Sequence, residues 1–173
     1  MTETANTKYQ TFFRRLAAAI IDAIIFLPVL YLSNEFFGPN PEKSIGWQVV
    51  QNGLYFTYSI IGHAIYGQTI GKRLTSIKVV QNEDEHKLLS FFQSFMRDSI
   101  GIAMFLLQIF VLIFDYGDTE IGEQIVSLST LVWIIAEMVT MLFNSKKRSI
   151  HDFIAKSVVI RTTDKSKESM VKM

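Results

Sequence analysis

Five ionisable residues, Arg15, Asp22, His63, Arg97 and Glu137, lie within or at the ends of otherwise apolar stretches of this 173-residue chain. A charged group at membrane depth costs at least about 2.5–3.5 kcal/mol, so each of these residues needs a partner or a task. Asp22 follows Arg15 by seven residues. That is nearly two helical turns, which puts both on one face about 10 Å apart along the axis. Ala18 and Ala19 between them leave room for the long Arg side chain to lean towards the carboxylate. Counted from the charged end of each stretch, Asp22 lies about 10 Å, Glu137 about 9 Å and His63 about 6 Å below one surface. Arg97 and Asp98 enter at the same surface.

Two chemistries fit this layer. In a charge clamp, Arg15 and Arg97 neutralise Asp22 and fix helix packing. In a cation or proton path, Asp22, His63 and Glu137 form the ion or proton site. Asp22, with Arg15 on its own face, fits the clamp better. Glu137 has no same-helix cation nearer than Lys146 and fits the path better. His63 serves as a polar anchor or as a relay.

Other chemistry finds little footing. With no Cys, disulfides, thiolate catalysis and Cys-ligated zinc are excluded. The segment Gly67-Gln-Thr-Ile-Gly71-Lys72-Arg73 lacks the glycine spacing of a phosphate loop and has Arg where Ser or Thr would hold magnesium. Ser149, His151 and Asp152 suggest a hydrolytic trio, but neighbours on one short segment are not expected to converge as a triad. No metal site, no cofactor and no enzyme activity are expected. The balance of 17 Lys+Arg against 16 Asp+Glu gives a net charge of +1, which argues against nucleic acid as a partner.

The elements that must carry these residues are membrane helices. Half the chain is apolar (49%), with its charges crowded between four stretches at about 13–34, 45–66, 95–114 and 125–143. At 1.5 Å per residue the second is about 33 Å long and the fourth about 28 Å, close to the thickness of a hydrocarbon core. The expected fold class is an all-α membrane protein, a four-helix transmembrane bundle. The first stretch reads as retained, because Asp22 interrupts it and Pro28, Tyr31 and Leu32 stand where a cleavage site would need small residues. Sixteen of the Lys and Arg residues fall on one side of these spans and one, Lys43, on the other, which places both termini in the cytoplasm. Residues 1–162 form a single transmembrane domain, and 163–173 read as a disordered cytoplasmic tail. On the cytoplasmic side Thr75–Gln81 and Lys156–Arg161 alternate and are β-branched; each needs a partner, so a small two-stranded ribbon is expected. Arg148–Ala155 reads as a brief helix near the headgroups, with Asp152 within reach of Lys72 or Arg73. No internal repeat is visible, so the sequence lends no support to an inverted-repeat transporter.

Several of these segments together resemble the RDD family of small integral membrane proteins. Arg15-Leu-Ala-Ala-Ala-Ile-Ile-Asp22 is similar to the family's first-span motif. Gly67-Gln-Thr69-Ile-Gly71-Lys72-Arg-Leu followed by Ile77-Lys-Val-Val80 is similar to its cytoplasmic segment. Arg97 matches the arginine ahead of the third span, and Ser149-Ile-His-Asp152 opens the closing motif. The resemblance runs from Phe12 to Ile160, with Ile70 where the family usually has Pro and Lys156 where it usually has Gly. It implies an inner-membrane protein for which transport, including sodium/proton antiport, has been proposed. The leading functional expectation is therefore movement of small cations or protons by an oligomer, with anionic headgroups against the basic cytoplasmic face. The alternative is an assembly or regulatory subunit that binds lipid or another membrane protein through that face.

Overall fold

The computed structural model describes residues 5–37, 44–114 and 120–162; the predicted tail at 163–173 lies outside them. After a short turn of helix α1 (Ala5–Lys8), α2 (Phe12–Phe37) carries Pro28 within it. Helix α3 (Ile45–Ile61) starts at Ser44, whose hydroxyl accepts from Trp47 N at 3.4 Å. It continues into one π turn, Gly62–Tyr66, which Gly67 ends in the left-handed region at φ 71°. A side chain at Gly67 would be strained at that φ and would crowd the ends of the Leu88 and Lys78 side chains, 2.7 and 2.8 Å from its Cβ. Next come α4 (Ile70–Leu74), β1 (Ile77–Gln81), α5 (Phe91–Phe114), α6 (Glu120–Phe143), α7 (Ile150–Ile154) and β2 (Ser157–Arg161). The fold is thus mostly helical with one antiparallel ribbon, β1–β2, centred on the pair Val79 and Val159.

The buried apolar cluster lies under the ribbon rather than among the long helices. Ile77, Val79 and Val159 pack with Leu89 and with Ala18 of α2. The long helices present their large apolar residues outward, including Phe13, Tyr31, Leu54, Phe110 and Leu128. Among the described residues two helical segments, Phe91–Phe114 and Gln124–Phe143, are long and apolar enough to cross a membrane, and almost none of either is buried inside the protein. A soluble core helix would show the reverse.

The chain also carries a repeat that its sequence conceals. Each element of the second surface unit starts 80 residues after its counterpart: α4 and α7 at 70 and 150, β1 and β2 at 77 and 157. The N-caps Thr69 and Ser149 correspond, as do two residues with positive φ that precede the strands, Ser76 (56°) and Lys156 (52°). Long helices precede each unit in the same order, α2 and α3 before α4, α5 and α6 before α7. The packing repeats too, because α4 lies on α2 and α7 lies on α5. The ladder maps Ile77 onto Arg161 and Gln81 onto Ser157, so a local twofold axis passes between Val79 and Val159. The expectation of no repeat is corrected on this point. What recurs is the pattern of cap, short helix, left-handed residue and strand, while the side chains differ.

Candidate functional site

Three polar clusters occupy the end of the long helices where the ribbon sits. The first is centred on Asp152, which has no exposed surface. Ser149 starts α7 with a capping box: its hydroxyl serves the backbone of residue 152, and the Asp152 carboxylate accepts from Ser149 N at 3.1 Å. Two guanidiniums converge on the same carboxylate. Arg15 Nη1 donates to Oδ2 at 2.6 Å and Arg97 Nη1 to Oδ1 at 2.5 Å. Ser157 Oγ donates to Oδ1 at 3.0 Å. Although burial opposes ionisation, the guanidiniums of Arg15 and Arg97 hold Asp152 well below the usual carboxylate range.

His151, next along α7, joins this cluster to Glu137. Its backbone N–H donates to Glu137 Oε1 at 3.1 Å, and its ring Nδ1 lies 2.7 Å from Oε2. On the other side of the ring, Nε2 lies 2.9 Å from Arg97 Nη2 and 3.0 Å from Ser149 Oγ. Burial, then the neighbouring Arg97, push the His151 pKa down. The neutral tautomer with its proton on Nδ1 donates to Glu137 and leaves Nε2 to accept from Arg97.

As expected, Ser149, His151 and Asp152 do not converge as a triad, because Asp152 Oδ1 lies 3.8 Å from His151 Nε2, the same ring nitrogen that faces Ser149 Oγ. Ser149, His151 and Glu137 do line up as hydroxyl, imidazole and carboxylate. Acyl transfer is not what they are placed for, since Ser149 is wholly buried and its hydroxyl is engaged by the helix cap and by Asp152.

The second cluster is built around Asp22. Tyr58 Oη donates to Oδ1 at 2.7 Å, Gly71 N to Oδ1 at 2.8 Å, and Thr69 Oγ1 to Oδ2 at 2.6 Å. Asp22 thus anchors the first turn of α4 to α2. The approach is so close that a Cβ on Gly71 would lie 2.2 Å from Ala18 O, which only glycine avoids. The clamp expected between Arg15 and Asp22 does not form: Arg15 pairs with Asp152, and Asp22 takes neutral donors. Same-face spacing along α2 was a sound reading of helix geometry. It could not show that a carboxylate from the other end of the chain would meet the guanidinium. Arg97 likewise serves Asp152 rather than Asp22, and Lys72 and Arg73 make no hydrogen bond to Asp152 among the described residues.

The third cluster pairs His63 with Lys72. The π turn holds His63 almost fully buried, with Nδ1 3.3 Å from Ser59 Oγ. Its Nε2 lies 2.5 Å from Lys72 Nζ. Burial and the nearby positive charge of Arg97 push the Lys72 amine down to about 7, against the pull of Asp98. Asp98 Oδ2, Arg15 Nη2 and Ser94 Oγ are buried and have no hydrogen-bond partner among the described residues. No group of His, Cys, Asp and Glu among the described residues has the makings of a metal site.

The layer foreseen from spacing is therefore three separate clusters. Glu137 joins the Asp152 cluster, His63 joins Lys72, and Asp22 bonds directly to neither of them. Tyr58 was missed, and His151 was weighed only within a hydrolytic trio and not as the partner of Glu137. Nothing in the sequence marked Tyr58, and spacing along α6 gave no sign that Glu137 would meet His151. A family model, that of the RDD family, matches residues 9–156. Comparison with curated proteins and with solved structures gave no match.

Proposed function

Because the chain belongs to the RDD family, we propose that it is a multi-pass protein of the cytoplasmic membrane that moves protons in exchange for small cations and catalyses no covalent reaction. It crosses four times, with both termini and the ribbon in the cytoplasm. The outward apolar residues on α2, α3, α5 and α6 support four crossings. So does the repeat: with two equivalent surface units on one side, α5 and α6 between them return the chain to the side it left, as a pair of crossings does. The excess of Lys and Arg on the ribbon side sets the orientation. Exposed Arg73 and Lys156 meet anionic headgroups there. Four helices make a thin bundle, so the working form is a homo-oligomer.

The observation that carries the reading is the His63–Lys72 pair. Two basic nitrogens 2.5 Å apart hold one proton between them more readily than two. With Lys72 down to about 7, that proton is exchangeable near neutral pH. Asp98, with a free carboxylate oxygen and a field felt at Lys72, is a natural next acceptor.

Purified protein reconstituted in vesicles with an entrapped pH dye tests this. A sodium or potassium gradient should drive proton movement, reduced tenfold or more by Lys72→Met and by His63→Gln. Folded protein that gives no flux, or a Lys72→Met variant as active as the parent, would overturn the transport reading in favour of an assembly or regulatory subunit.

A further inference from the structure

A cavity of about 280 Å³ opens between α2 and α3 beside Asp22, separate from the His63–Lys72 pair. Besides Asp22 it is lined by Ala19, Ala23, Val29, the rings of Phe26 and Tyr55, and the amide of Gln51. The rings of Phe26 and Tyr55 meet edge to face, with centroids 5.7 Å apart. Asp22 is only 8% exposed, and its three partners all donate, as they would to an ionised carboxylate. No Lys, Arg or His among the described residues lies within ion-pair distance of it. Among the described residues, buried Asp152 has two arginines and buried Glu137 has His151. Asp22 therefore brings one uncompensated negative charge to the edge of an apolar, aromatic groove.

We propose that this groove binds an organic ammonium ion with an apolar tail. The carboxylate supplies the counter-charge, and the faces of Phe26 and Tyr55 supply the quadrupole attraction that favours a weakly hydrated cation. An inorganic cation is a poor fit, because it needs about six oxygen ligands and the walls are largely methyl and ring carbon. At roughly 30 Å³ for each water-sized unit, the volume takes a head of about nine or ten non-hydrogen atoms. Such an ammonium comes either from a lipid amine headgroup or from a free amphiphilic amine. The site does not depend on proton movement, and its test reads binding alone.

The test uses the full chain in discs of phosphatidylglycerol, titrated with radiolabelled benzyltrimethylammonium at constant ionic strength. Saturable binding is expected, indifferent to replacing one inorganic salt with another. Ala23→Phe fills the groove without touching the three donors to Asp22, and should weaken binding at least tenfold. Asp22→Asn should do the same, with Ala23→Phe deciding the matter if the asparagine variant fails to fold. Weaker probe binding in discs that also contain phosphatidylethanolamine identifies the lipid headgroup as the occupant; unchanged binding identifies a free amine. Absence of saturable binding, equal affinity in folded Ala23→Phe, or displacement by millimolar sodium would overturn the proposal.

Discussion

Replacing Asp152 with Asn changes two atoms' chemistry and almost no volume, yet it removes the one charge that two buried guanidiniums share. The side chains of Arg15 and Arg97 are 10% and 4% exposed, so neither can recover the lost partner by turning to water. Asparagine offers one acceptor oxygen where the carboxylate offered two, and its amide hydrogens face a cation. At least one guanidinium is left stranded. Breaking one buried pair in this way costs about 3–5 kcal/mol. At 2–4 °C for each kcal/mol in a chain of this size, the melting temperature falls on the order of 10 °C.

The pH dependence has a definite sign. The depressed pKa of Asp152 means its contribution is complete above the ordinary carboxylate value near 4 and is lost as pH falls towards the folded value. In phosphatidylglycerol discs the gap between the parent and Asp152→Asn melting temperatures should therefore be full between pH 5 and pH 7 and begin to narrow below about pH 4. Adding Arg15→Met to Asp152→Asn should recover part of the loss by removing one stranded cation. A drop under about 2 °C at pH 7, or parallel curves at all pH values, would refute the reasoning.

Two further substitutions test the joints of the fold. Gly71→Ala should detach α4 from α2, because its Cβ would overlap Ala18 O; a fall in melting temperature at least as large as for Asp152→Asn is expected. Lys156→Gly relieves a left-handed residue at φ 52° and should stabilise the chain by about 0.5–1 kcal/mol, read as a rise of about 1–4 °C in the same assay.

How much of this was legible in the sequence depends on the range of the interaction. Local signals held: β-branched alternation at 77–81 and 157–161 became the ribbon, and the segment around Ile150–Ile154 became a helix. Pairing was not legible. Arg15 meets Asp152 across 137 residues and Asp22 meets Gly71 across 49, and spacing along one helix carries no information about such partners. The motif residues Gly71 and Asp152 were identified as important without the reason, which is a backbone contact in one case and a shared carboxylate in the other. The repeat was hidden because its two copies solve the same anchoring problem with different side chains. Asp22 reaches from α2 to the start of α4 in one copy; Arg97 reaches from α5 to Asp152 of α7 in the other.

The distance between Arg15 and Asp152 along the chain also sets a timetable. The 137 residues separating them take the ribosome roughly 7–27 s to add. Through that interval the guanidinium of Arg15 has no Asp152 to meet, and from the completion of β1 until Ser157 the strand has no partner. Both needs are met together, when α7 and β2 emerge and close over the helices already made. A nascent chain stalled before that point displays an unpaired strand and a stranded cation, which gives proteolytic surveillance a means of telling an unfinished molecule from a finished one.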